Sequence, residues 1–218
     1  MNSSKKSLAF KAVVFDCDGV LADSVPAKTS AFREWVQFRY PEWEEAFMEY
    51  HMSAYGIGRK DQVEHFFLEI SKINYDKKLI DEDIAILSQL IAKGMSSIVL
   101  NREVIELIEY LKNRGILLFV LSGTPQKELE LQLERWFIAA SFARIIGTPV
   151  KKQDGLRSIM EEHGLMASEL IFVGDATADA VAAESTDVRF VYIPSSAEMK
   201  SHNIWKKIST LAELKLYV

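Results

Sequence analysis

The chain has 218 residues, of which 49% are hydrophobic, and it carries a formal net charge of −5. This length and apolar content allow one sizeable core, or a core with a smaller second unit. The acidic balance gives no reason to expect nucleic acid or a membrane as a partner, and no apolar run reaches membrane-spanning length. The single cysteine excludes an internal disulfide and suits a reducing compartment, so we expect a cytoplasmic protein.

The first predicted element is a buried strand that ends in acidic residues. Residues 8–15 are mostly apolar, with β-branched side chains toward the end, which is typical of a strand in a parallel sheet. Asp16 and Asp18 follow, and alternate residues of an extended segment point the same way. Two carboxylates about 4 Å apart repel by about 4 kcal/mol at an effective dielectric of about 20, so a divalent cation or a shared proton is expected. The alternative is a simple turn, with Asp23 and Ser24 capping the next helix.

A long helical segment follows, with no β-rich run between Ser24 and Ile98. Apolar side chains recur there with a period near that of an α-helix. The predicted helices cover residues 27–40, residues 42–52, a stretch that begins near Lys60, and residues 80–93, with Gly94 ending the last one. This pattern predicts a helical unit, residues 25–98, inserted after the first strand.

Helices and strands alternate in the rest of the chain, as in a doubly wound parallel sheet. The predicted helices cover residues 104–114, 126–137, 155–163 and 179–184. The predicted strands cover residues 116–122, 143–146, 170–173 and 189–193. We therefore expect an α/β protein with a core of residues 1–24 and 99–218.

Three of the apolar strands end in polar groups, and the carboxyl ends of parallel strands lie along one edge of a sheet. These groups are Asp16 with Asp18, the Ser122-Gly123-Thr124 segment, and Asp175 with Asp179, and the Lys151-Lys152 pair precedes a helix. Carboxylates that could hold a cation, a hydroxyl, backbone N–H groups and an ammonium group together suit a bound phosphoryl group.

In this order the motifs resemble those of the haloacid dehalogenase (HAD) superfamily. The similarity is to its phosphoglycolate phosphatase and β-phosphoglucomutase-like members, which carry a helical (C1) cap after the first motif. The matching segments are Asp16-Cys17-Asp18-Gly19-Val20, Leu121-Ser122, the lysine pair, and Gly174-Asp175-Ala176-Thr177-Ala178-Asp179. The resemblance covers nearly the whole chain and implies a Rossmann-like core with strand order 5-4-1-2-3.

The resemblance also implies catalytic roles. Asp16 would be the nucleophile that forms an aspartyl-phosphate, and Asp18 the general acid for the leaving alcohol and then the base for water. Ser122 would hydrogen-bond the transferring phosphoryl group, with Gly123 and Thr124 beside it as substrate-binding residues.

The lysine and the metal complete the implied site. The spacing after Gly147-Thr148-Pro149 favours Lys152 over Lys151 as the lysine that neutralises the phosphoryl group. Mg²⁺ would be held by Asp16, by the backbone carbonyl of Asp18 and by Asp175. Asp179 would orient these ligands or Lys152, although an acid in the first turn of a helix needs no such role.

The helical cap is expected to choose the substrate. The segment Gly56-Ile57-Gly58-Arg59 resembles a Gly-x-x-Arg cap loop whose arginine reaches a distal anionic group of the substrate; the alternative is an ordinary surface arginine. Mutases of this group carry a histidine where this chain has Lys28, and they tend to carry glutamate where it has Gly174. Both departures favour net hydrolysis.

The sequence thus predicts a Mg²⁺-dependent phosphatase for a small phosphorylated metabolite, of the phosphoglycolate or sugar-phosphate class. We expect a monomer or homodimer that binds neither nucleic acid nor membrane. Two alternatives remain open: a β-phosphoglucomutase-type phosphomutase and a non-catalytic phosphate-binding module.

Overall fold

A six-stranded parallel sheet forms the centre of the computed structural model, which describes residues 10–195, 199 and 203–218. The strands are β1 (Ala12–Phe15), β2 (Leu117–Pro125), β3 (Arg144–Thr148), β4 (Leu170–Gly174), β5 (Arg189–Tyr192) and β6 (Lys206–Lys207). Their spatial order is β3-β2-β1-β4-β5-β6. This is the expected order with one addition, because the sequence did not predict the short strand β6 beside β5. The first strand begins at Ala12 rather than at Leu8, which lies outside the described residues.

Eight α-helices accompany the sheet in the described part of the chain. They are α1 (Val25–Arg39), α2 (Glu44–Ser53), α3 (Arg59–His65), α4 (Lys77–Met95), α5 (Arg102–Asn113), α6 (Gln126–Arg135), α7 (Lys152–His163) and α8 (Thr177–Glu184). A π-helical turn, Phe66–Ser71, extends α3. The predicted helix end at Gly94 is wrong, because α4 continues to Met95. A Cβ at Gly94 would lie 3.3 Å from the carbonyl oxygen of Ala27, so this glycine allows α1 to approach closely.

Both faces of the sheet are covered, as the uninterrupted apolar strands require. Alternate residues of β1 enter two separate hydrophobic clusters, with Ala12 and Val14 on one face and Val13 and Phe15 on the other. Helices α7 and α8 cover the first face. Helices α5 and α6 contribute to the cluster on the second face, which continues into the helical segment.

The elements between β1 and β2 that precede α5 are all helical and have an aromatic interior. The ring of Trp35 packs edge-on against Phe47 and Phe66, with centroids 5.2 and 5.4 Å away. The fully buried carboxylate of Asp83 accepts hydrogen bonds from Trp35 Nε1 (3.1 Å) and from the Tyr40 hydroxyl (2.6 Å). The side chain of Arg39 also donates to this carboxylate, through Nε at 2.9 Å. Paired in this way, the buried charge joins α1 to α4.

The described helices include none that is both long and apolar enough to cross a membrane.

Candidate active site

The carboxyl ends of three neighbouring strands bring the predicted motifs together. Asp16 follows β1, Asp175 follows β4, and the segment 122–124 lies in the last part of β2. Between β2 and β3 the register shifts, since Leu121 pairs with Ile146 whereas Pro125 pairs with Thr148. The extra residues of β2 form a bulge, which leaves the segment 122–124 outside the regular ladder at the site.

Lys152 connects two of the acidic side chains. Its ammonium group lies 3.1 Å from Asp16 Oδ2 and donates to Asp179 Oδ1 at 2.5 Å. All three side chains are buried, and although burial alone would lower the pKa of Lys152, the two carboxylates raise it above its usual range. Lys151 is exposed, so the structure places Lys152 rather than Lys151 at the site.

Asp179 is fixed from a second direction. Its Oδ2 accepts the backbone N–H of Ala176 at 3.1 Å, which satisfies a free donor at the start of α8. A Cβ at Gly174 would lie only 2.4 Å from the Cβ of Asp179. The glycine at this position therefore makes room for the side chain that holds Lys152.

Three buried carboxylates form a group that fits a divalent cation. Each of Asp16, Asp175 and Asp179 offers an oxygen within 4.8 Å of the others. Burial raises the pKa of Asp16 well above its usual range, and burial together with the charge of Asp179 raises that of Asp175 to about 7. Ionising such a group is unfavourable without a counter-charge, and carboxylate oxygens are the ligands that Mg²⁺ prefers. The sequence had assigned Asp179 to a supporting role, and the structure adds its carboxylate to the group.

The carboxylate of Asp18 has different surroundings. Its Oδ1 accepts the Ser24 hydroxyl at 2.6 Å, and its Oδ2 accepts Lys28 Nζ at 2.5 Å and the Thr124 hydroxyl at 3.0 Å. Lys28 also donates to the Thr124 hydroxyl oxygen at 2.7 Å. Burial alone would raise the pKa of Asp18, but Lys28 and the two hydroxyl groups lower it, so this carboxylate is ionised in the free protein.

Ser122 is buried beside this group, and its Oγ accepts the backbone N–H of Thr124 at 3.2 Å. That bond uses the oxygen of the Ser122 hydroxyl and not its hydrogen, so the hydroxyl can still donate to a ligand. Gly123 and Thr124 line the same cavity as Asp16 and Asp18. The sequence-predicted residues of the first and second motifs thus face one space.

Arg59 lines this cavity too, but it is neither an exposed residue nor a free charge. Its Nη2 and Nη1 donate to the two carboxylate oxygens of Glu128, at 2.5 and 3.2 Å, and Nη1 also donates to Ser88 Oγ at 2.6 Å. Glu128 lies on α6 and Ser88 on α4, so the arginine joins the helical segment to a helix beside the sheet.

Sequence reasoning missed several of these contacts. Ser24 had been considered only as a helix cap, yet its hydroxyl donates to Asp18 and makes no cap hydrogen bond. Lys28 lies one helical turn after Ser24, the residue before α1, and this spacing puts both side chains on the same side. The resemblance had marked Lys28 only as the position of the mutase histidine. Nothing in the sequence pairs Glu128 with Arg59, because the two are distant along the chain.

The chain is similar to known proteins over most of its length. The family model described as haloacid dehalogenase-like hydrolase matches residues 13–193. The chain is 29% identical over 191 residues to a phosphoglycolate phosphatase of Vibrio parahaemolyticus, covering 80% of this chain and 79% of that protein. It is 23% identical over 191 residues to a phosphorylated carbohydrates phosphatase of Thermotoga maritima, covering 84% of each chain.

A solved structure shows the same fold. A mutant of CbbY from Rhodobacter sphaeroides, in complex with xylulose-(1,5)bisphosphate, superposes with a TM-score of 0.76 at 20% identity, over 94% of this chain and 96% of that one. The Rossmann-like α/β fold expected from the sequence is thereby confirmed. With most of its length matched by the family model, the chain belongs to the haloacid dehalogenase-like hydrolases.

Proposed function

We propose that this HAD-type phosphomonoesterase hydrolyses a small phosphorylated metabolite, of the sugar-phosphate or phosphoglycolate class, with Mg²⁺ and through an aspartyl-phosphate on Asp16. The observation that carries the proposal is the contact of Lys152 with Asp16 inside a buried acidic group, because Asp16 also lines a cavity of about 70 Å³ together with Asp18 and Ser122. The phosphatase names of the sequence relatives support the reaction class.

In the first step, a carboxylate oxygen of Asp16 attacks the phosphorus atom, and the bond from phosphorus to the substrate's ester oxygen breaks. Asp16 is held for this attack by the Cys17 backbone N–H on Oδ1, at 2.7 Å, and by Lys152 on Oδ2. Lys152 and the Ser122 hydroxyl stabilise the negative charge on the phosphoryl oxygens. Mg²⁺, when held by the carboxylates of Asp16, Asp175 and Asp179, would add further charge neutralisation.

Asp18 is placed to move the protons. Arrival of a phosphoryl dianion beside it raises its pKa, so Asp18 takes up a proton from solvent and passes that proton to the oxygen of the leaving alcohol. After giving up that proton, Asp18 is again a carboxylate, stabilised by hydrogen bonds from Lys28, Ser24 and Thr124. It then removes a proton from the water that attacks the aspartyl-phosphate. That attack breaks the bond between phosphorus and the Asp16 oxygen and releases inorganic phosphate.

We also propose that residues 25–98 act as a cap over the site, because Arg59 and Lys28 enter the cavity from this segment. Its contacts with the core exclude water from the reacting groups. The cytoplasmic location, the monomeric or dimeric state and the lack of a nucleic-acid partner stay predictions.

The test is phosphate release from a panel of phosphorylated metabolites and phenyl phosphate, with MgCl₂ or with EDTA. We expect metal-dependent release that falls by about a thousandfold or more in Asp16→Asn, because the nucleophile is lost. The matched control is Asp23→Asn, the same chemical change at an exposed position of the same loop, which should stay within about twofold of wild type. Full activity in Asp16→Asn would refute the proposed mechanism.

A further inference from the structure

One side chain in the cavity has unused hydrogen-bonding capacity. His51 of α2 is 2% exposed and lines the cavity between the helical segment and the sheet edge. Within the described part of the chain, its Nε2 atom has no hydrogen-bond partner. A buried polar atom without a partner is unfavourable, so such an atom on a residue that lines a cavity can be satisfied by a molecule bound in that cavity.

The neighbours of His51 decide what that atom can bind. Gln62 Nε2 donates to the carbonyl oxygen of Ile57 at 2.9 Å, which leaves Gln62 Oε1 as an acceptor toward the histidine. His51 Nδ1, 2.7 Å from Oε1, must therefore carry the hydrogen. In a neutral imidazole the other nitrogen is then a bare acceptor. Burial lowers the pKa of His51, which keeps the ring neutral.

The charge of the nearby arginine is already balanced. Both carboxylate oxygens of Glu128 accept from Arg59, in a bidentate pair. A second anionic group on the substrate would have to displace Glu128 from this pair, with the loss of a charge-assisted hydrogen bond. The part of the cavity beyond the phosphoryl site thus has an acceptor and a neutralised cation. Phe32 and Ile91 form an apolar part of the cavity wall, which suits the carbon skeleton of a substrate.

We propose that the substrate's tail is uncharged and hydroxylated, as in a sugar or polyol phosphate, and that His51 Nε2 accepts a hydrogen bond from one of its hydroxyl groups. This inference rests on the proposed function and narrows its substrate class. A carboxylate tail, as in phosphoglycolate, has no hydrogen to donate and would face the His51 lone pair. His51 acts as a positioning and specificity-determining residue, since it contacts the tail and not the reacting atoms.

Three esters that differ only in the tail test this inference. They are 2-hydroxyethyl phosphate, phosphoglycolate, which has a carboxylate in place of the hydroxymethyl group, and ethyl phosphate, which has neither. Their binding to Asp16→Asn is measured by calorimetry with MgCl₂, and phosphate release is measured on the wild type. We expect 2-hydroxyethyl phosphate to bind at least about fivefold more tightly than either of the others, because both of the others leave the buried Nε2 atom of His51 without a donor.

Two further variants test the residues. His51→Phe keeps a ring beside Phe32 but removes the acceptor, and it should remove the advantage of 2-hydroxyethyl phosphate without changing the binding of ethyl phosphate. Glu128→Gln releases Arg59 and should strengthen phosphoglycolate binding about tenfold. Glu134→Gln, an exposed residue on the same helix, should change neither.

The outcomes separate this inference from the proposed function. Tighter binding of phosphoglycolate than of 2-hydroxyethyl phosphate, or an equal effect of His51→Phe on all three esters, would overturn the inference even if all three are hydrolysed. Absence of phosphate release from every member of the metabolite panel would overturn the proposed function, while the binding order of the three esters would still decide the role of His51.

Discussion

Adding a single methyl group at Gly174 should disable the site by moving Asp179. In Gly174→Ala the new Cβ would lie 2.4 Å from Asp179 Cβ and 2.8 Å from its Oδ2. Carbon atoms pack best about 3.5–4.0 Å apart, so Asp179 must shift by about 1 Å. That shift breaks the short contact of Asp179 Oδ1 with Lys152 Nζ and the bond from Ala176 N–H.

The magnitudes follow from these contacts. Overpacking of a buried position costs about 1–3 kcal/mol of unfolding free energy. A misplacement of about 1 Å in a catalytic group can cost about 100-fold in rate, and Lys152 loses the partner that orients it. We therefore expect Gly174→Ala to stay folded, with kcat reduced by about 100-fold and a smaller change in KM.

The assay is the initial rate of phosphate release from phenyl phosphate, with urea unfolding of the same samples. The control is Gly115→Ala, where φ is +75° and the added methyl would meet no described atom within 4 Å. The left-handed backbone makes this control less stable by about 1–2 kcal/mol, but it leaves the site untouched. Full activity of Gly174→Ala, or equal loss of activity in both variants, would refute the idea that Asp179 positions Lys152.

The helical segment and the acidic group give the remaining predictions. Asp83→Leu leaves the buried donors of Trp35 and Tyr40 without an acceptor and should lower the unfolding free energy by about 3–5 kcal/mol, measured in urea. The exposed Asp81→Leu on the same helix should cost less than about 1 kcal/mol, and equal losses would contradict this reasoning. Because the pKa of Asp175 is raised to about 7, its contribution to the stability of the metal-free protein is present at low pH and lost as pH rises through 7. Mg²⁺ binds the ionised form, so it should raise Tm more at pH 8 than at pH 6, and the opposite order would contradict this assignment.

Much of the core was predictable because local patterns report it directly. Apolar runs such as residues 116–121 identify buried strands, and the polar residues that end three of these strands indicate which edge of the sheet holds the site. Asp16, Ser122 and Asp175 could therefore be placed together from the sequence, and the structure has them at the ends of neighbouring strands. Gly94 misled the prediction, because a glycine that ends a helix and one that lets two helices approach look alike in sequence.

The sequence alone determined which chemical groups are available. It specifies which residue types end the strands, the order in which they occur, and the family motifs that they form. Only the tertiary structure decided how those groups are paired, since the pairs join residues far apart in the chain. Asp18 is held in part by Thr124, and Arg59 by Glu128, and neither pairing has a local signature. Hydrogen bonds and charge interactions depend on distances of a few ångströms, which periodicity and spacing do not encode. For the same reason the free Nε2 of His51, on which the substrate inference depends, could be recognised only in the folded protein.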